Sequence, residues 1–223
     1  MGERRYDAVV FDLDGTLLDT LTDLMNSANA AAEKYGFAPH TREEIRSFVG
    51  NGIRRLIRQV VPEGEDNPEF EHVYDEFRRH YGEHCLDETE PYPGIMALLD
   101  WLKKQGYKTA IVSNKADFAV KKLKDVYFNE LIDVAIGEHE GCRRKPEPDS
   151  VLIALENIGV DRKRAVYVGD SDVDIMTAKN TSMDCICVSW GFRSREFLLD
   201  HGAVPERIAA NVNELKALLS GNS

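Results

Sequence analysis

Cysteine is scarce in this sequence. Cys85, Cys142, Cys185 and Cys187 are scattered and form no C-x-x-C pair, which excludes a zinc knuckle or a disulfide framework as the source of the fold. Positive charge is in deficit. With 28 Lys plus Arg against 39 Asp plus Glu the formal net charge is -11, which opposes general affinity for nucleic acid or anionic lipid. An anionic substrate must therefore be met by local positive charge. No apolar run approaches the roughly 18 residues that a membrane span needs. The charged start at residues 1–5 leads into a short apolar stretch, too brief for a signal peptide. A soluble, cytoplasmic protein that docks on neither nucleic acid nor membrane is expected. Internal repeats and low-complexity tracts are also missing, which leaves solenoid and tail-like readings without support. What remains is an ordinary globular composition, 43% hydrophobic and 30% charged over 223 residues. That is enough to bury a core unaided, as a monomer or a homodimer.

From about residue 90 onward, short β-rich runs alternate with helical patterns, the signature of a parallel sheet flanked by helices. Strands are expected at Ala8–Phe11, Lys108–Val112, Asp133–Ile136, Ala165–Val168 and Asp184–Val188, with a weaker one at Arg207–Ala210. Helices are expected at Ile95–Gln105, Phe118–Val126, Ser150–Asn157, Asp172–Lys179 and Val212–Leu219. The fold class is α/β, a Rossmann-like parallel sheet core flanked by helices. Between Thr20 and Glu88 the pattern changes, because apolar residues recur at helical spacing with no strand between them. Helices are expected there at Leu21–Tyr35, from a Thr41/Glu44 capping box to the Gly50-Asn51-Gly52 segment, at Ile53–Val61 and at Phe70–His84. Pro91-Tyr92-Pro93-Gly94 marks the return to the core. The expected division is thus a core of residues 1–18 and 90–223 and an inserted α-helical cap at 19–89.

Asp12 and Asp14 stand directly after the first apolar strand, and Gly15 permits a tight turn beside them. In open α/β sheets that position, beyond the carboxyl ends of the strands, is where ligands bind. Three further segments follow predicted strands: Ser113-Asn114, the loop Arg143-Arg144-Lys145-Pro146, and Gly169-Asp170-Ser171-Asp172-Val173-Asp174. A lone D-x-D caps turns more often than it catalyses, and a lone basic run is usually a solvated loop. Here the basic run has a carboxylate cluster to neutralise.

With these motifs in this order, the sequence resembles the haloacid dehalogenase superfamily of phosphotransferases, and within it the phosphoglycolate phosphatase type. The aspartate motif is Asp12–Thr16, the serine motif Ser113, the lysine motif Lys145-Pro146, and the acidic motif runs from Gly169 to Asp174. The likeness spans nearly the whole chain, including a helical cap after the first motif. It implies a small phosphorylated metabolite as substrate and phosphoryl transfer through an aspartyl-phosphate, with Asp12 as nucleophile and Asp14 as general acid and base. Lys145 would draw negative charge from Asp12, and Ser113 with nearby backbone N–H groups would hold the phosphoryl oxygens. An oxygen-only cluster suits Mg²⁺; Asp12, Asp170 and the Asp14 backbone carbonyl are the expected ligands, with Asp174 supporting them from behind. Thr16 and Asn114 are grouped with the substrate-binding residues.

The Gly50-Asn51-Gly52 loop and the Trp190–Glu196 stretch also resemble phosphoglycolate phosphatases. Arg54 or Arg55 offers a bidentate clamp for a substrate carboxylate; the alternative is a solvated helix face. Asp14 disfavours a dehalogenase, since a leaving halide needs no proton. The absence of His from Thr20–Leu24 disfavours a mutase, and the absence of Lys from Val49–Arg55 a phosphonatase. A pyrophosphatase and a receiver-like phospho-signalling protein stay open as alternatives. His80 and His84, at i and i+4 beside Cys85, have metal-ligand spacing without an evident third ligand, and are read as polar positions on a helix.

Overall fold

The structure, a computed structural model, describes residues 4–221. Strand β1 (Ala8–Phe11) is wholly buried, without polar alternation, as a strand covered on both faces requires. The chain divides into two compact units, Met1–Leu18 with Pro91–Ser223, and Asp19–Glu90. It enters the second unit through β2 (Leu18–Asp19).

That unit is built of α1 (Leu21–Lys34), α2 (Arg42–Phe48), α3 (Ile53–Val60) and α4 (Phe70–His84). Ala28, Ala31 and Ala32 of α1 are fully buried, small side chains that suit the close packing of α1 on α4, and Phe70, Val73, Phe77 and Tyr81 of α4 are buried as well. The capping box at α2 forms as expected: Glu44 N–H donates to Thr41 Oγ1 at 3.3 Å, and Thr41 N–H to Glu44 Oε2 at 2.8 Å. Asp23 ties the unit's two ends together. Its buried carboxylate accepts from Glu88 N, Thr89 N and Thr89 Oγ1, just before the exit strand β3 (Glu90–Pro91).

The larger unit continues with α5 (Ile95–Lys104), β4 (Lys108–Ala116), α6 (Asp117–Leu123), β5 (Val134–Glu138) and α7 (Asp149–Ile158). Then come β6 (Ala165–Gly169), α8 (Asp172–Thr181), β7 (Asp184–Val188), α9 (Arg195–Asp200), β8 (Ile208–Ala209) and α10 (Val212–Ser220). The sheet order is β5-β4-β1-β6-β7-β8, and every pair is parallel. After β5 the chain returns to the other side of β1. This reversal is a topological switch point, and it opens a crevice at the carboxyl end of β1.

Three differences from the expected elements matter. Strand β4 runs four residues past Val112, because a register shift between Val112 and Ala116 lets the chain rejoin β5 at Glu138; Ser113, Asn114 and Lys115 are therefore strand residues and not a loop. The helix after β4 ends at Leu123 and opens into a wider turn over Lys124–Phe128. Helix α9, not expected from the sequence, begins at a cap where Ser194 Oγ accepts from Phe197 N.

Candidate active site

The site grows from the end of β1. Asp12 N–H donates to Val168 O at 2.9 Å, which carries the ladder with β6 one residue further. The chain then turns sharply: the N–H groups of Leu17 and Leu18 both reach Leu13 O at 3.0 Å, with Gly15 at φ +88°. A side chain at Gly15 would run into the Asp170 carboxylate as well as strain the backbone. The turn therefore brings the first acidic segment against the end of β6.

Lys145, in the loop between β5 and α7, is buried and reaches Asp12 Oδ1 at 2.8 Å and Asp174 Oδ1 at 2.8 Å. Its ammonium also donates to Tyr167 Oη at 3.0 Å, and Tyr167 in turn donates to Asp174 at 3.2 Å. Burial alone would depress the lysine, but Asp12 and Asp174 hold its ammonium well above the ordinary range. For Asp12 the balance is reversed. Burial pushes it up to about 7 despite the attraction of Lys145, and Asp174 adds to the rise. Burial likewise drives Asp170 well above the usual carboxylate range, helped by Asp174 and Asp12.

Ligand oxygens of Asp12, Asp170 and Asp174 lie within 4.8 Å of one another. Counting lone pairs separates the three, since a carboxylate accepts about four hydrogen bonds. Asp174 is saturated: Oδ1 accepts from Lys145 and Tyr167, and Oδ2 from Ser171 N at 3.1 Å and Ser171 Oγ at 2.6 Å. Among the described residues Asp170 accepts only from Thr16 Oγ1 at 3.3 Å and Phe192 N at 2.7 Å, and Asp12 only from Lys145. Asp12 and Asp170 thus keep free oxygen lone pairs in a buried, electron-rich corner, a donor set that fits a hard divalent cation. Asp174 orients Lys145 from behind them.

Two residues grouped with the substrate by sequence make contacts inside the site. Thr16 is fully buried with its hydroxyl on Asp170 at 3.3 Å, where it orients that carboxylate. Asn114, on strand β4, donates from Nδ2 to Lys145 O at 3.1 Å; it braces the lysine loop. Ser113 is buried beside it, its Oγ accepting from Lys115 N at 3.2 Å.

Sequence reasoning missed Lys115 and Tyr167, and gave the loop after β7 only as a likeness without a role. Lys115 Nζ lies 2.7 and 3.0 Å from the two oxygens of Asp14, and both side chains are largely buried. Its signal was its place immediately after Ser113-Asn114. The loop after β7 latches the site from the far side: Trp190 Nε1 donates to Thr16 O at 3.1 Å, next to the Phe192 bond to Asp170. Gly191 is packed so closely on Gly15 O and Asp170 that a side chain has no room.

In the helical unit, Arg54 is already engaged: it binds Glu65 at 3.1 Å and Glu71 at 2.6 Å, and lies over the rings of Phe70 and Tyr74. A substrate clamp there would compete with that network, whereas Arg55 is exposed. Gly50 and Gly52 take positive φ on either side of Asn51. His80 Nδ1 meets Ser27 Oγ at 3.0 Å and His84 Nδ1 meets Asp87 at 2.8 Å. Among the described residues no metal-capable group includes either histidine.

The geometry is that of a buried aspartate-lysine pair beside a carboxylate corner that fits a cation. The model of the haloacid dehalogenase-like hydrolases matches residues 9–188. The chain belongs to that family. It is 33% identical over 186 residues to a phosphoglycolate phosphatase of Aquifex aeolicus, covering 82% of this chain and 85% of the relative. To an N-acetylmuramic acid 6-phosphate phosphatase of Pseudomonas aeruginosa it is 32% identical over 193 residues, 86% and 85% of the two chains. Among solved structures, a protein of Lactobacillus delbrueckii subsp. bulgaricus provisionally named phosphoglycolate phosphatase superimposes with a TM-score of 0.92 at 38% identity, covering 97% and 99%. The family assignment and these relatives make the protein a phosphatase. Among its described residues no helix is long and apolar enough to cross a membrane.

Proposed function

We propose that the protein is a cytoplasmic, Mg²⁺-dependent phosphatase that hydrolyses a small phosphate monoester, phosphoglycolate first, through an aspartyl-phosphate on Asp12. The observation that carries this reading is Asp12 Oδ1 at 2.8 Å from Lys145 Nζ, with its other oxygen uncommitted. Asp12, Asp170 and the Asp14 carbonyl would hold Mg²⁺, which when bound neutralises carboxylates and phosphoryl oxygens that otherwise repel one another.

Asp12 attacks phosphorus, forming one P–O bond as the bond to the ester oxygen breaks, and the leaving alcohol takes a proton from Asp14. Water then attacks phosphorus, Asp14 takes back a proton, and inorganic phosphate departs from Asp12. General acid-base help of this kind is worth about 10²- to 10⁴-fold. Lys145 steadies the charge on Asp12 and the phosphoryl oxygens, and Ser113 with neighbouring backbone N–H groups holds the latter. Recognition of the leaving group is assigned to Gly50, Asn51, Gly52 and Arg55 of the helical insert, whose part is that of a cap. The insert also disfavours a receiver, whose phospho-form must persist uncapped.

The nearly equal likeness to an N-acetylmuramic acid 6-phosphate phosphatase supports that sugar phosphate as a second substrate. Phosphate release with Mg²⁺ from phosphoglycolate, N-acetylmuramic acid 6-phosphate, pyrophosphate and simple sugar phosphates separates the choices; isomerised sugar phosphate in place of free phosphate points to a mutase. Asp12→Asn should abolish turnover with an unchanged circular dichroism spectrum. Retained activity removes Asp12 as nucleophile.

A further inference from the structure

Lysines are rarely buried without a counter-charge. Lys115 is 5% exposed, and its counter-charge is Asp14, a residue 101 positions away that the proposed reaction uses as its proton donor. The ammonium spans both carboxylate oxygens, at 2.7 and 3.0 Å. An oxygen of Asp14 that protonates the ester oxygen must lie within a hydrogen bond of it. The ester oxygen then sits no more than about 6 Å from Lys115 Nζ, one further hydrogen-bond length away. A negative group attached close to that oxygen falls within reach of the same ammonium.

We infer, resting on the phosphatase reading, that Lys115 is a specificity-determining residue: it selects phosphate monoesters whose leaving alcohol carries a second anionic group next to the ester oxygen. The substrate's anion competes with Asp14 for the ammonium. As it takes a share of that ammonium, it draws the cation off the Asp14 oxygens and leaves one of them to face the ester oxygen. Substrates with the anion thus gain a charge-assisted hydrogen bond and at the same time place the proton donor. Neutral ones do neither. Positive charge delivered here also answers the overall charge of -11, which otherwise disfavours a multiply negative ligand.

Phosphoglycolate and its uncharged amide are the probes, since they differ in charge and hardly in size. Wild type should favour the acid in kcat/KM by about 10- to 100-fold, the range for one charge-assisted bond. In Lys115→Met that ratio should fall to within about threefold of unity, while Lys115→Arg keeps a preference for the acid. A merely structural lysine would lower both substrates together and leave the ratio unmoved; that result, or a wild type indifferent to the charge, overturns the inference. Should Lys115→Met not fold, Lys115→Gln reads the same ratio. If wild type releases phosphate from neither probe nor from p-nitrophenyl phosphate, the phosphatase reading itself fails and takes this inference with it.

Discussion

Removing the cation should make the fold lose stability as the pH rises, opposite to the usual behaviour of a protein rich in ion-paired carboxylates. In the metal-free site Asp12 is raised from 3.8 to about 7, so between those values the native state binds a proton that the unfolded chain releases. Stability contributed by that proton is complete below the unfolded value and is lost as pH climbs through the folded one. A shift of about three pH units corresponds to something on the order of 4 kcal/mol. For a chain of this size that is roughly 10 °C in the melting temperature. Asp170, raised by burial, acts in the same direction. The depressed carboxylates, of which Glu76 at about 2 is held by Arg79 and Lys34, lose their contribution only in acid, below the window concerned. His80 opposes the trend, since burial lowers it and its neutral form gains as pH rises to about 6.5.

Melting curves in EDTA between about pH 5 and pH 8 read the sum, and the same curves for Asp12→Asn subtract everything except Asp12. Wild type should lose stability relative to Asp12→Asn across that range, and excess MgCl₂ should restore it most at the high end, where the carboxylates are ionised and bind best. Parallel curves for the two proteins in EDTA refute the reasoning, because Asp12 would then not be held protonated by its burial. A Mg²⁺ effect independent of pH refutes the assignment of the cation to these carboxylates.

Gly191→Ala should cost about 10²-fold or more in kcat, because the new methyl group collides with Gly15 O and the Asp170 carboxylate; Mg²⁺ titration should show weakened binding while the circular dichroism spectrum is kept. Asp23→Ala strips the buried acceptor of Glu88 N, Thr89 N and Thr89 Oγ1, and should destabilise the helical insert by about 2 to 4 kcal/mol. Faster proteolysis within residues 19–90, with residues of the sheet still protected from hydrogen exchange, checks it.

The sheet was legible because its strands carry unbroken apolar runs, and residues such as Val9, Val10 and Val166 admit no other place than a doubly covered layer. Asp12, Asp170 and Lys145 were legible because each follows such a run or lies in the loop after one. Lys115 was not: once a strand is taken to end at Val112, the next three residues read as loop, and only the register shift against β5 makes them strand. Thr16 and Asn114 were only partly legible for a related reason: sequence does not say which way a short polar side chain turns, and here both turn towards Asp170 and Lys145. Arg54 was ambiguous since Glu65 and Glu71 are 11 and 17 residues away, beyond helical spacing.

The two aspartates of the first motif differ in what holds them, and this difference divides the chemistry. Asp12 is paired with a lysine that is itself fixed by Asp174 and Tyr167, so the charge beside the proposed nucleophile is set before substrate arrives, as preorganised electrostatic stabilisation demands. Asp14 is paired with Lys115 of β4, so the surroundings of the proposed proton donor are set by a different cation from those of the proposed nucleophile. A single lysine serving both aspartates would weaken attack whenever it turned towards a substrate anion. Two lysines arriving from separate elements, Lys145 from the loop after β5 and Lys115 from β4, avoid that conflict: in the proposed reaction Lys145 keeps attack constant while Lys115 answers to the leaving group. Substitution at Lys115 should therefore change which esters are cleaved, and substitution at Lys145 whether any is cleaved at all.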